Sequence, residues 1–306
     1  MRITFFHWGF HPWAVYIIFG LAIAYYHFRH GLPLAPRSML YPVLGEHFRG
    51  ILGHLMDILC TVGTLFGVAT SLGLGAMQIN AGLSEYTDLA QATDVQIIII
   101  VVITLIATIS VVSGIENGIR LLSEFNVLLA SLLLLFVFVF GPTLFQLKIF
   151  ATTLGDYLQH FVEISFWMDM REGSNWQTSW TLFYWGWWIS WSPFVGIFIA
   201  RISKGRTVRE FVANVFLAPT LATFVWLAVF GGTALHIELF GTGGLAEVVK
   251  ENVALSLHTV LNQLPWASVT SALGTLLVIT FFITSSDSGS LVDDMVTSGG
   301  PPDPPT

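Results

Sequence analysis

Residues 180–209 read WTLFYWGWWISWSPFVGIFIARISKGRTVR, an apolar segment that carries five of the chain's eleven tryptophans and ends in a burst of positive charge. On a helix, at about 100° per residue, Trp180, Tyr184, Trp185, Trp187, Trp188 and Trp191 fall within roughly half the circumference. One face is a wall of aromatic rings. Tryptophan sits readily at membrane interfaces, its ring buried and its N–H wet, which accounts for one or two rings near a helix end. Four tryptophans between 185 and 191, running inward, fit a second reading as well. Ring faces form a cage for a cation without N–H donors, because the ring quadrupole attracts charge that no hydrogen bond can hold.

The rest of the chain places that segment in a membrane. Its 306 residues are 54% hydrophobic and 10% charged, with a mean hydropathy of +0.74, against roughly 25% charged residues in soluble domains. The fold class expected is all-α, a polytopic membrane protein. At about 20 apolar residues per crossing, seven spans are expected, near 11–28, 53–82, 95–113, 125–147, 179–201, 211–235 and 266–286. They make one transmembrane domain over 1–298, followed by a Pro/Gly linker over 299–306. The formal net charge of −7 comes with no basic patch interleaved with aromatics, so nucleic acid is not an expected partner. The lipid bilayer is.

Loop charge sets the orientation. Arg29, Arg37 and Arg49, then Arg120, then Arg201, Lys204, Arg206 and Arg209 mark alternate loops, which the positive-inside rule puts in the cytoplasm. The other loops carry Glu85, Asp88 and Asp94, then Asp156, Glu163, Asp169 and Glu172, then Glu238, Glu247 and Glu251. The start of the first span, near Trp8, therefore faces outward. With no cleavable leader in MRITFFHWGFHPW, and with TSGGPPDPPT following directly on the last span, both ends look cut. A truncated, non-transporting fragment is accordingly one expectation for the chain. Loop segments near 150–172 and 244–262, and LPLAPRSMLYPVLGEHF (32–48), have the mixed spacing of amphipathic helices.

Three further stretches carry candidate chemistry. HWGFHPWAVY (7–16) opens the first span with Pro12 in a first turn and with Trp13 and Tyr16 on one face. Trp8 precedes that turn. The trio reads either as an interfacial belt or as the complement of a second aromatic helix. His7 and His11 are four apart, but no third ligand follows at a metal-site spacing, so no metal is expected there. The long second span, with TVGTLFGVATSLGLGAMQINAGL (61–83), is broken by glycines that serve close helix packing or a flexed helix beside a pathway. TFFITSSDSGS (280–290) places Thr284, Ser285, Ser286, Asp287 and Ser288 after an apolar run. Hydroxyls and carbonyls at a helix interruption there would suit a hard cation such as Na⁺. Equally, the hydroxyls could bond back to the helix. Cys60, the only cysteine, reads as a small buried residue. Enzyme chemistry has no foothold: there is no Gly-x-Ser-x-Gly, P-loop or His-Glu-x-x-His.

YWGWWISWSPFVGIFIARISKGRTVREF (184–211), HWGFHPWAVY, SLGLGAMQINAGL (71–83) and FFITSSDSGSLV (281–292) resemble, in the same order, helices of the betaine/carnitine/choline transporters. The resemblance implies twelve helices, ten of them in two inverted repeats of the leucine-transporter architecture, of which this chain would hold helices four to ten. It implies ion-coupled uptake of choline or glycine betaine by a multi-pass protein of the bacterial inner membrane, arranged as a homotrimer. Trp8, Trp13, Tyr16 and Trp188 match the family's ammonium box, and Trp185, Trp187 and Trp191 match tryptophans lining the pathway. For sodium-coupled members, one ion site matches the Phe281 carbonyl, Thr284 and Ser285. A second matches Thr64 and Phe194, but Val68 stands where that site has another threonine. This departure leaves H⁺ coupling as an alternative to a second Na⁺. A carnitine or betaine exchanger that needs no ion gradient is a further alternative.

Overall fold

In a computed structural model, residues 1–112 and 116–300 are described, and every regular element among them is helical. In chain order the helices are α1 (Arg2–Trp8), α2 (Phe10–His30), α3 (Tyr41–Leu44), α4 (Ile51–Ser84), α5 (Thr93–Val112), α6 (Glu116–Phe140) and α7 (Thr143–Gln159). There follow α8 (Phe161–Phe166), α9 (Phe183–Ile202), α10 (Val208–Phe240), α11 (Leu245–Glu251), α12 (Ser256–Leu261) and α13 (Ala267–Thr297). Among the described residues, five stretches are long and apolar enough to cross a bilayer: Arg2–His30, Ile51–Ser84, Arg120–Phe140, Val208–Phe240 and Ala267–Thr297. The 20-residue α9 has the length for a crossing, but its tryptophans and tyrosine dilute its hydropathy.

Three features stand apart from the sequence reading. The span expected at 125–147 ends at Phe140, and α7 begins at Thr143. Pro142 lacks an N–H and disfavours helical backbone in the residue before it, Gly141. The carbonyls left at the end of α6 are taken up by side chains, with Thr143 Oγ1 donating to Phe138 O (2.6 Å) and Gln146 Nε2 to Val137 O (3.0 Å). Second, α13 shows no interruption at TSSDSGS and continues to Thr297, because hydroxyls bond back to the preceding turn. Thr280 Oγ1 donates to Leu276 O, and Thr284 Oγ1 to Thr280 O and Phe281 O. Third, α4 is one unbroken helix of 34 residues. Of the expected linker, Gly299 and Gly300 close α13, donating to Val296 O (3.1 Å) and Met295 O (2.7 Å); residues 301–306 lie outside the described residues.

The described residues form two compact units rather than one. One contains Ser71–Asp156 and Phe224–Asp287, with an apolar cluster built on Leu129, Leu133, Val137, Val229, Leu261 and Leu277. Within this unit Asn126, on α6 and 1% exposed, donates to Thr284 on α13 (3.3 Å).

The other unit contains Arg2–Thr70, Tyr157–Thr223 and the segment from Ser288 onward. Its core is the pairing of α2 with α9 around Ile17, Ile23, Ala24, Trp188, Ile197 and Ala200. That pairing depends on two glycines. A Cβ on Gly20 would stand 2.9 Å from Gly196 O, and one on Gly196 would stand 3.0 Å from Gly20 N, so the backbones touch where any side chain would part them. Gly20→Val is expected to lower the protein's thermal stability by about 1–3 kcal/mol, read as an earlier melting transition in detergent. An unchanged transition would mean that the helices separate without cost.

Candidate functional site

The site is built where α1 ends. Gly9 (φ −101°, ψ −131°) leaves the helical region and separates α1 from α2, so the residues flanking it have no continuous helix to bond within. Aromatic side chains from distant segments meet them. Trp188 Nε1–H donates to His7 O at 2.8 Å, and Phe10 N–H donates to the Tyr157 hydroxyl at 3.3 Å. Trp188 is thereby fixed by its polar edge, which leaves its ring to present faces rather than to seek a partner.

Around Trp188 the rings stand nearly at right angles. Trp8 meets it at 4.6 Å between centroids with 78° between planes, and Tyr16 at 6.4 Å and 89°. Trp13 stands against Tyr16 at 5.4 Å and 80°. Trp187 lies almost parallel to Trp188 (5.3 Å, 4°) and edge-on to Trp8 (6.0 Å, 82°). The four residues expected as an ammonium box thus converge within one unit. At 4.6 Å, Trp8 and Trp188 are in contact, so their crossed planes leave outer ring faces free but no gap between them. Trp188 and Tyr16 are buried at 8% and 4% exposure, in surroundings that strengthen cation–π attraction.

The aromatic wall of α9 is not a single surface. Trp185 turns away from Trp8 and packs on Phe6 (5.3 Å) and His11 (5.7 Å), because Trp185 and Trp187 lie at opposite edges of the arc traced by the tryptophans. Trp191 sits further along α9 against Phe194 (5.0 Å), tight on α4, where a Cβ on Gly67 would stand 2.8 Å from its ring. Its Nε1–H is buried with no acceptor.

Two features of the approach to α9 were not visible from the apolar pattern. Thr178–Leu182 forms a π-helical turn, which resets the phase of the helix that follows. Thr181 Oγ1 within it lies 3.1 Å from His7 Nε2, and His7 stacks on Tyr184 (5.0 Å, 26°). Before it, Asp169 organises the loop: Arg171 donates through Nε (2.8 Å) and Nη2 (2.9 Å), and Ser174 through its hydroxyl (2.5 Å). Those bonds hold the Asp169 carboxyl well below the usual carboxylate range. His11 Nε2 lies 2.8 Å from Ser165 Oγ. The two histidines are structural partners of hydroxyls, and no group of three metal-ligating side chains occurs among the described residues.

The expected ion ligands fall in the two units separately. Thr64 is 2% exposed and donates to Cys60 O (3.0 Å); it shares its unit with Phe194. In the other unit, Thr284 Oγ1 and the Phe281 carbonyl are adjacent at 3.0 Å, whereas Ser285 is exposed. Sequence reading passed over Asn126, whose Oδ1 is buried without a donor while its Nδ2 reaches Thr284.

The model of the betaine/carnitine/choline family transporters matches residues 1–306. A glycine betaine/proline/choline transporter of Vibrio parahaemolyticus is 46% identical over 306 residues, all of this chain and 55% of that protein. Glycine betaine transporter 1 of the same organism is 45% identical over 302 residues, 99% of this chain and 57% of that protein. The glycine betaine transporter OpuD of Bacillus subtilis is 44% identical over 302 residues, 98% of this chain and 58% of that protein. The chain thus spans little more than half the length of the relatives it matches. A match along all 306 residues, with only helices as regular elements among the described residues and five of them long and apolar enough to cross a bilayer, establishes that the chain belongs to the betaine/carnitine/choline transporter family.

Proposed function

We propose that this chain is the substrate-binding part of a secondary transporter in the bacterial inner membrane that takes up a quaternary ammonium solute, with glycine betaine as the first candidate. The observation that carries the reading is the perpendicular set Trp8, Trp188, Tyr16 and Trp13. A trimethylammonium group has no N–H to donate, so ring faces are the partner suited to it, worth about 2 kcal/mol or more when desolvated. A betaine also carries a carboxylate. Trp191 is three residues beyond Trp188 and shares its side of the helix; its buried, unpartnered Nε1–H is a donor for that end. Trp187 borders the box, and Trp185 lines the helix on the side of Phe6. Choline lacks the carboxylate and would forgo the Trp191 interaction. The names of the relatives, which include glycine betaine in each case, support the same substrate class. The homotrimer has the family resemblance as its sole support.

Coupling is assigned to Na⁺ at the Phe281 carbonyl and the Thr284 and Ser285 hydroxyls, with Asn126, whose Nδ2 reaches Thr284 and whose Oδ1 is buried without a partner, as a neighbouring amide. A hard cation takes oxygen ligands of this kind, and Val68 beside Thr64 withholds a hydroxyl from a second ion. The test is uptake of labelled glycine betaine into proteoliposomes holding the full-length protein, with and without an inward sodium gradient. Saturable, sodium-driven uptake is expected. Thr284→Ala is expected to raise the half-saturating sodium concentration roughly three- to tenfold, the worth of one hydrogen-bonding oxygen. Uptake driven by a proton gradient alone would move the coupling to H⁺. Exchange without any gradient would make the protein an antiporter, and no uptake at all would leave the chain a relic of the family.

A further inference from the structure

The uptake reading gives no task to α7, a mixed polar and apolar helix that lies mostly beyond the span expected at 125–147, yet its last turn reaches α2. Tyr157 is fully buried (0% exposed). Its ring stands against Phe5 (6.4 Å, 76°), Phe10 (5.8 Å) and Phe161 (5.6 Å, 82°). Its hydroxyl accepts the Phe10 N–H, one residue past the Gly9 break. On the other flank of the same glycine, His7 O accepts from Trp188. The break that sets the direction of Trp8 is thus held between two aromatic side chains, one of which contacts substrate in the proposed function and one of which does not. Phe10 is kept in place from a third side by Phe216, stacked at 4.5 Å and 12°.

We propose that Tyr157 is a positioning residue for the ammonium site: its hydroxyl fixes the start of α2 at Phe10 and thereby holds Trp8 against Trp188. The proposal rests on the uptake reading above and assigns α7 a part in substrate affinity. One feature separates this from ordinary core packing. A phenylalanine would supply the same ring contacts but could not accept the Phe10 N–H. Burial pushes the Tyr157 phenol up to about 12, from a value at which it is already a neutral hydroxyl. A neutral bond of this kind positions without making affinity pH-dependent.

The test uses the full-length transporter in liposomes for uptake kinetics and in detergent for betaine binding, followed by tryptophan fluorescence. Tyr157→Phe leaves the Phe10 N–H without its acceptor and is expected to raise KM and the dissociation constant about three- to tenfold, with kcat unchanged and the melting temperature modestly lowered. Phe161→Leu loosens the ring packing but keeps the hydroxyl, and is expected to lower the melting temperature while KM stays at the native value. A native KM in Tyr157→Phe would overturn the proposal. So would an equal rise of KM in Phe161→Leu, which would assign the effect to packing. KM does not depend on how much protein inserts, so reduced expression of either variant leaves the comparison readable. If the unmodified protein shows neither uptake of betaine nor a fluorescence response to it, the uptake reading fails, a result distinct from a silent Tyr157→Phe.

Discussion

Replacing Trp188 by leucine is expected to abolish saturable glycine betaine uptake over the concentrations at which the native protein saturates, while the protein still inserts. Trp188 is the ring on which the other box residues converge, with Trp8 at 4.6 Å, Trp187 at 5.3 Å and Tyr16 at 6.4 Å. Losing one desolvated cation–π face costs about 2 kcal/mol or more, roughly a thirtyfold loss of affinity, before any movement of Trp8 is counted. The indole N–H has a separate duty. Without it the His7 carbonyl, at the end of α1, loses the 2.8 Å bond it accepts, at about 1–3 kcal/mol of stability for a buried acceptor. Trp188→Phe divides the two roles, since it keeps a ring face but has no N–H. Both variants are expected to melt earlier by a similar amount, whereas the leucine variant alone loses saturation. Uptake by Trp188→Leu with native affinity would show that the aromatic set is packing and that substrate binds elsewhere.

Part of this ring cluster was legible, because helical periodicity places Trp13 beside Tyr16 and gathers the tryptophans of α9 on one side; which rings would form a box came from the family resemblance. Periodicity is blind to breaks in the backbone, and the arrangement turns on two of them. The non-helical Gly9 exposes the His7 carbonyl to Trp188, and the π turn at Thr178–Leu182 sets the phase with which α9 arrives. A glycine between two aromatic residues ahead of Pro12 hinted at the first; the second left no mark in composition. The Gly141–Pro142 pair is a plain turn signal that the surrounding apolar run obscured, so a crossing was expected to extend through it to 147. At TSSDSGS the opposite error arose. A cluster of hydroxyls suggests a helix end, but each threonine can return its hydrogen bond to the preceding turn, and α13 runs on for eleven residues beyond Ser286. Tyr157 was out of reach altogether, since it meets Phe10 across 147 residues of sequence.

Arg37 was noticed as one positive charge among several on its loop, and Asp57 not at all, yet together they give the second large expected effect. Asp57, on α4, is 5% exposed. Its Oδ1 accepts the Arg37 backbone N–H at 2.8 Å, and its Oδ2 accepts Arg37 Nε. Both bonds come from the short 3₁₀ turn Pro36–Leu40, where Ser38 Oγ also donates to Pro33 O (2.7 Å). This carboxylate therefore ties the loop between α2 and α4 to the start of α4. Removing one partner of a buried ion pair leaves the other uncompensated, at about 3–5 kcal/mol. Arg37→Met, which keeps an apolar stem but no charge, is expected to lower the melting temperature sharply and to reduce the amount of inserted protein. The pair itself is another matter, because desolvating two charges offsets most of their attraction. Arg37→Met combined with Asp57→Asn removes both charges while the amide oxygen still accepts the Arg37-position backbone N–H, and is expected to recover most of the lost stability. Recovery in the double variant means that the single substitution failed through a stranded charge. If the double variant melts as early as Arg37→Met, the guanidinium itself holds the loop, and the argument from desolvation is wrong.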